Sequence, residues 1–253
     1  MENVIRPVFK MLRLGSLILT GLVLALIVYP NLDRAGRDRR LLAWAGALMR
    51  ILNIELRLRG NPPVGGAVLV ANHVSWLDIH VLHSIFPVRF ISKAEVQDWP
   101  LLGRLAKASG TLFITREKKS DAIRVNQEMA AELRAGECLA FFPEGTTSDG
   151  QDMQTFFPSL FQPAVEAGCP VIPASIRYLN PQGEPCLEAA YHGEMTLIES
   201  FWRIAKLRGL TVEVAFLPAL KNDGQHRREL AKQAEAAIRS ALGFAFKENA
   251  SAA

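Results

Sequence analysis

The sequence predicts an α/β domain, single and built on a largely parallel central sheet flanked by helices, preceded by an N-terminal membrane-associated helical segment. Three observations predict it. From residue 54 onward, short apolar runs rich in β-branched residues alternate with amphipathic segments. Residues 14–29, LGSLILTGLVLALIVY, carry no charged side chain. The polar clusters NHVSWLD, TREKK and PEGTTSDG each follow a predicted strand, where α/β folds gather their functional groups. The chain has 253 residues, enough for one such domain with an appendage, divided here at 1–53 and 54–253.

The uncharged stretch makes a helix of roughly 24 Å, short for a bilayer core of about 30 Å. Met11 and Leu12 lengthen it, and Arg13 can snorkel. Arg6, Lys10 and Arg13 resemble the basic lead of a signal peptide, but NLDRAG downstream offers no small-x-small cleavage site. Arg34, Arg37, Arg39 and Arg40 follow the stretch, so the charge bias sets no orientation. A helix dipping into one leaflet, a single span and a buried soluble helix all fit. Residues 37–52, RDRRLLAWAGALMRIL, place Arg39, Ala43, Gly46 and Arg50 at helical spacing. The wide apolar face left over, with Trp44, suits a helix lying at a membrane interface or facing a core.

In the catalytic-size remainder, strands are predicted at 54–58, 67–71, 88–92, 111–115, 137–142, 171–177 and 211–217. Helices are predicted at 75–85, 100–108, 119–134, 159–167, 195–207 and 225–242. The net charge of +4 is too diffuse for a nucleic-acid footprint, and no nucleic-acid motif accompanies it, whereas anionic lipid headgroups suit it. Cys138, Cys169 and Cys186 form no CxxC, which points away from a disulfide framework or a zinc site and toward a reducing compartment.

NHVSWLDIH, residues 72–80, holds the densest chemistry. Ser75 and Asp78 fit a capping box that starts a helix at Trp76. On one continuous helix His73 and Asp78 would diverge by about 140°. The break at Ser75 lets His73 fold back, so that the carboxylate orients its imidazole as a general base. Ser75 as a nucleophile competes with its capping role. A metal set of His73, Asp78, His80 and His83 needs four side chains aimed at one ion from the start of one helix, and no metal is expected.

In FFPEGTTS, residues 141–148, Pro143 stops the strand and Gly145 permits a tight turn. Glu144, Thr146, Thr147 and backbone N–H groups then suit a polyol or a phosphate, or form an ordinary turn. Arg116, ending GTLFITR, is a cation at a strand end that can clamp an anion or sit on the surface.

Taken together, these segments resemble the phospholipid/glycerol acyltransferase family, and within it the 1-acyl-glycerol-3-phosphate acyltransferases. The block N-H-x-S-x-x-D matches Asn72, His73, Ser75 and Asp78. G-x-x-F-I-x-R matches Gly110, Phe113, Ile114 and Arg116. F-P-E-G-T matches Phe142, Pro143, Glu144, Gly145 and Thr146, and V-I-P matches Val171, Ile172 and Pro173. The four blocks occur in order over roughly residues 55–218.

The resemblance implies that His73, supported by Asp78, deprotonates the free hydroxyl of a lysophospholipid. That hydroxyl attacks an acyl thioester of coenzyme A or acyl carrier protein, with no bound cofactor and no acyl-enzyme. Arg116 would hold the acceptor's phosphate, Glu144, Gly145 and Thr146 would shape the acceptor pocket, and Pro173 would form the donor side. It also implies membrane lipids as partners and a bacterial inner-membrane location facing the cytoplasm. Many members carry Arg after the third block and F-K beyond it; this chain has Thr147 and Phe157-Pro158. TTSDG followed by FPSLFQPA also resembles the branch that acylates lyso-ornithine lipid, whose headgroup has no phosphate. A non-catalytic lipid-binding protein and a metal-dependent lipid hydrolase are the readings from other classes.

Overall fold

The apolar runs form β1 (Ile54–Arg59), β2 (Val68–Ala71), β3 (Arg89–Lys93), β4 (Leu112–Ile114), β5 (Leu139–Phe141), β6 (Val171–Leu179) and β7 (Leu210–Phe216). The computed structural model describes residues 2–99, 101–114, 119–222 and 224–245. One sheet joins the seven strands in the order β1-β7-β6-β2-β5-β3-β4. Every neighbouring pair is parallel except β6 with β7, so β1 and β7 run against the other five. The expected largely parallel sheet is therefore present. The middle strand β2, VLVA, is buried at all four positions, as a strand covered on both faces must be.

The helices are α1 (Glu2–Val23), α2 (Arg34–Leu52), α3 (Leu77–Ile85), α4 (Leu102–Ala108), α5 (Lys119–Arg134), α6 (Gln162–Ala167), α7 (Leu197–Lys206) and α8 (Arg227–Leu242). One face of the sheet packs Leu48 of α2, Leu77 and Val81 of α3 and Ile204 of α7 against Leu69 and Val212. The other packs Met129 of α5, Ala164 of α6 and Leu230 of α8 against Val68 and Val70. The adjacent strands β2 and β5 thus send their following helices, α3 and α6, to opposite faces. Such a divergence opens a crevice at the carboxyl ends of the two strands. NHVSWLD leaves β2 there and FPEGTTS leaves β5 there.

The N-terminal stretch from Ile5 to Asn31 is long and apolar enough to cross a membrane by length and composition. Its inner face is nevertheless docked on the domain. Pro7, Lys10, Leu14, Leu17 and Gly21 are buried at alternating three- and four-residue spacing, the stripe that seats one helix on its neighbours. The Lys10 ammonium donates to the Leu52 and Leu207 carbonyls at 3.0 and 2.8 Å, closing the last turns of α2 and α7 at once. Trp44 of α2 donates its indole N–H to the Leu17 carbonyl at 2.9 Å. Gly21 makes room for that contact, because a Cβ there would lie 2.8 Å from Trp44 Nε1. Beyond α1 the helix widens to a π turn at Leu24–Val28 and tightens to a 3-10 turn at Tyr29–Asn31. Pro30 explains the change, since its ring crowds the carbonyl four residues earlier. The outer face stays apolar and bare: Leu12, Leu19 and Ile27 are 63–68 % exposed.

Candidate active site

Asp78 organises the site. Its carboxylate is fully buried in the first turn of α3. Oδ2 accepts from the Val74 and Ser75 amides at 2.8 and 3.0 Å and lies 2.7 Å from His73 Nδ1. The back-bond to Ser75 N–H is the acidic half of the expected capping box. The serine half is weak, with Ser75 Oγ 3.4 Å from Leu77 N. The chain does fold back before α3, as the break at Ser75 predicts. The Asp78 carboxylate therefore fixes the proton on Nδ1 of His73 and leaves Nε2 with its lone pair. The His73 ring is stacked on Phe142, 3.8 Å between centroids and 5° from parallel. Ser75 is completely buried, which removes it as a nucleophile for a bound substrate.

Glu144 holds the other end of His73. One carboxylate oxygen accepts the His73 N–H at 2.7 Å and the other accepts the Gln154 N–H at 2.7 Å. Glu144 is 2 % exposed and faces inward, so the expected contact with an acceptor gives way to a clamp between the two loops of the crevice. Burial raises its carboxyl to about 7, against the pull of the two N–H donors. A folded value above the ordinary one gives stability that is complete below about pH 4.5 and is lost as pH rises through about 7. The melting temperature of the protein should fall between about pH 5 and pH 8, and Glu144→Gln should flatten that part of the profile. A melting temperature that rises across the same interval would contradict this assignment.

Gly145 takes φ +71°, and its N–H closes a turn onto the Phe142 carbonyl at 3.1 Å. Pro143 is buried in that turn. Gly145, Thr146 and Thr147 line a chamber of about 570 Å³ into which His73 opens. The amides of Thr146 and Thr147 make no hydrogen bond among the described residues. The rest of the chamber is mostly apolar: Leu14 and Leu24 from the N-terminal helix, Trp44 from α2, Trp76 and Ile79 beside α3, and Phe201 from α7. No Lys or Arg lines it among the described residues.

Asn72 bridges β2 to β6, donating to the Ile176 carbonyl at 2.9 Å and accepting its N–H at 2.8 Å. Gly110, at φ +82°, offers its carbonyl to Arg89 Nε at 3.0 Å, and Phe113 sits half-buried on β4. Pro173 is buried in β6 opposite Val70. Arg116 lies outside the described residues. His80 and His83 line the same chamber as His73 but have other partners. His83 donates from Nε2 to the Val88 carbonyl at 3.0 Å, and His80 packs between Trp44 and Trp76. Burial lowers them to about 4 and about 3 respectively, so both are neutral near pH 7. Among the described residues no three of His73, Asp78, His80 and His83 come together as a set that could hold a metal ion.

Sequence reasoning missed Tyr178, whose hydroxyl donates to Asp78 Oδ1 at 2.5 Å. No local pattern could flag a residue one hundred positions from its partner.

The family model described as "Acyltransferase" matches residues 53–177. A lyso-ornithine lipid O-acyltransferase from Pseudomonas aeruginosa is 38 % identical over 94 % of both chains. A 1-acyl-sn-glycerol-3-phosphate acyltransferase from Neisseria gonorrhoeae is 32 % identical, over 81 % of this chain and 82 % of its own. The crystal structure of the LPA acyltransferase PlsC from Thermotoga maritima shares the fold, with a TM-score of 0.67 at 19 % identity over 96 % of this chain and 95 % of its own. On the likeness of these relatives over most of its length, the chain belongs to the phospholipid/glycerol acyltransferase family.

Proposed function

We propose that the protein moves a fatty acyl group from a thioester, carried by coenzyme A or acyl carrier protein, onto the hydroxyl of a lysolipid. One observation carries the reading: among the described residues His73 Nε2 has no partner and its ring lines an apolar chamber, while Nδ1 is held 2.7 Å from a buried carboxylate. Nε2 takes the hydroxyl proton as the oxygen attacks the thioester carbonyl carbon. The tetrahedral oxyanion collapses with loss of the C–S bond, and the imidazolium returns the proton to the departing thiolate. We assign the oxyanion to the amides of Thr146 and Thr147, which make no hydrogen bond among the described residues. A chamber of about 570 Å³ with apolar walls takes an acyl chain.

For the acceptor, lyso-ornithine lipid is the better reading. The Pseudomonas relative bears that name over nearly the whole chain. We assign Arg116 to the acceptor's anionic group, carboxylate or phosphate. The Neisseria relative favours the second reading, lysophosphatidic acid. Lipid mass spectrometry of the purified protein, offered each acceptor with each donor, separates them. Ornithine lipid as the main product supports the first. Phosphatidic acid alone supports the second. No product from folded protein with any pair would remove both and leave a lipid-binding role.

The docked inner face of α1 and its bare outer face fit a helix lying in one leaflet with the chamber beside it. Each exposed Leu or Ile contributes about 1.5–3 kcal/mol when buried in lipid. Leu12→Asp combined with Leu19→Asp should abolish co-flotation with anionic vesicles and leave the melting temperature unchanged within a few degrees. Retained flotation would contradict an in-plane anchor.

A further inference from the structure

Asp78 Oδ2 is shared among three donors, and Oδ1 is served by Tyr178 alone among the described residues. The Tyr178 hydroxyl is 2.5 Å from Oδ1, and both side chains are buried. Burial first, and the Asp78 charge second, push the Tyr178 phenol well above its ordinary value. The phenol therefore keeps its proton, and the direction of the bond is fixed from tyrosine to aspartate.

The sheet delivers Tyr178 to this position. The parallel pairing of β2 with β6 ends at Ala71 opposite Ala174. Asn72 then replaces the missing ladder with its side-chain amide, holding both the N–H and the carbonyl of Ile176. Two residues further on, the side chain of Tyr178 emerges on the same face of β6 as Ile176, toward α3. The Tyr178 carbonyl is itself held by the Cys186 N–H at 2.9 Å. Asn72 thus sets the register, and the register places the phenol against the carboxylate.

We propose that Tyr178 is a positioning residue for acyl transfer: its hydroxyl locks the Asp78 carboxylate in the one rotation that presents Oδ2 to His73. Without that bond, Oδ1 is a buried carboxylate oxygen with no donor, and the carboxylate gains by turning toward any other. A turn of the carboxylate moves the His73 imidazole, whose hydrogen bond to it sets both ring tilt and tautomer. The inference rests on the acyl-transfer reading for its rate measurement and stands apart from it in its spectroscopic one.

Tyr178→Phe keeps the ring and removes only the hydroxyl. Loss of one hydrogen bond to a charged group predicts a kcat lower by about 10- to 100-fold. KM for both substrates should stay within about twofold, because Tyr178 does not line the chamber. In an Asp78→Asn background, Tyr178→Phe should cost less than about twofold more, since the phenol acts through the carboxylate. In the detergent-solubilised full-length protein, the downfield proton resonance of His73 Nδ1–H should move or broaden in Tyr178→Phe with no substrate present. A kcat within twofold of wild type, a full additional loss in the Asp78→Asn background, or an unmoved resonance would each overturn the proposal. If Tyr178→Phe fails to fold, fluorotyrosines at 178 keep the packing and vary the donor strength. The resonance should then track phenol acidity, and indifference to it would overturn the proposal. If no acyl transfer is found even in wild type, the resonance shift still decides the matter for the dyad itself.

Discussion

His73→Ala should lower kcat by about 10²- to 10⁴-fold while the protein stays folded. The loss follows from position. Among the described residues, His73 is the side chain that combines a wall of the chamber with a buried carboxylate fixing its proton. The fold should survive because what His73 contributes to the scaffold is mostly backbone. Its N–H binds Glu144 at 2.7 Å, and its carbonyl accepts the Ser148 N–H at 2.8 Å. Alanine keeps both. Steady-state rates with an unchanged far-ultraviolet circular dichroism spectrum check the expectation. Activity within tenfold of wild type would mean that the base lies elsewhere.

Asp78 should give the largest combined effect, and two variants separate its two roles. Asp78→Ala strands the Val74 and Ser75 amides and the Tyr178 hydroxyl inside the protein. Each buried donor left without an acceptor costs about 1–3 kcal/mol. Asp78→Asn keeps the volume and one acceptor oxygen, so it should cost far less in stability. It should still cost about 10²- to 10⁴-fold in kcat, because an Asn whose oxygen keeps the Val74 and Ser75 N–H groups carries no charge to stabilise the His73 imidazolium. Denaturant unfolding and rate measurements on the pair test this directly. An Asp78→Asn enzyme with near-normal kcat would show that the carboxylate serves the fold alone.

Much of this was legible in the sequence because the signals are local. The seven strands are short runs such as VLVA and LTVEVAF, whose composition and length are sufficient. The turn at Gly145 and the return of His73 to Asp78 are set by neighbours within five residues. What escaped depends on distant chain. Glu144 reads as a pocket residue beside Gly145, yet the loop that returns at Gln154 turns it inward. Tyr178 depends on a crossover that brings β6 beside β2. The N-terminal stretch is apolar on every side, so only contacts such as Lys10 with Leu52 and Leu207 reveal which side is docked.

The central claim is direct transfer, with His73 as base and no acyl-enzyme. Intact-protein mass spectrometry under single-turnover conditions tests it most directly, with acyl-coenzyme A and acyl-ACP each offered first without an acceptor. The account predicts an unmodified protein mass and no burst of free thiol, followed by acylated lipid once the lysolipid is added. A protein heavier by one acyl group before the acceptor arrives, with thiol released in equal amount, would contradict it.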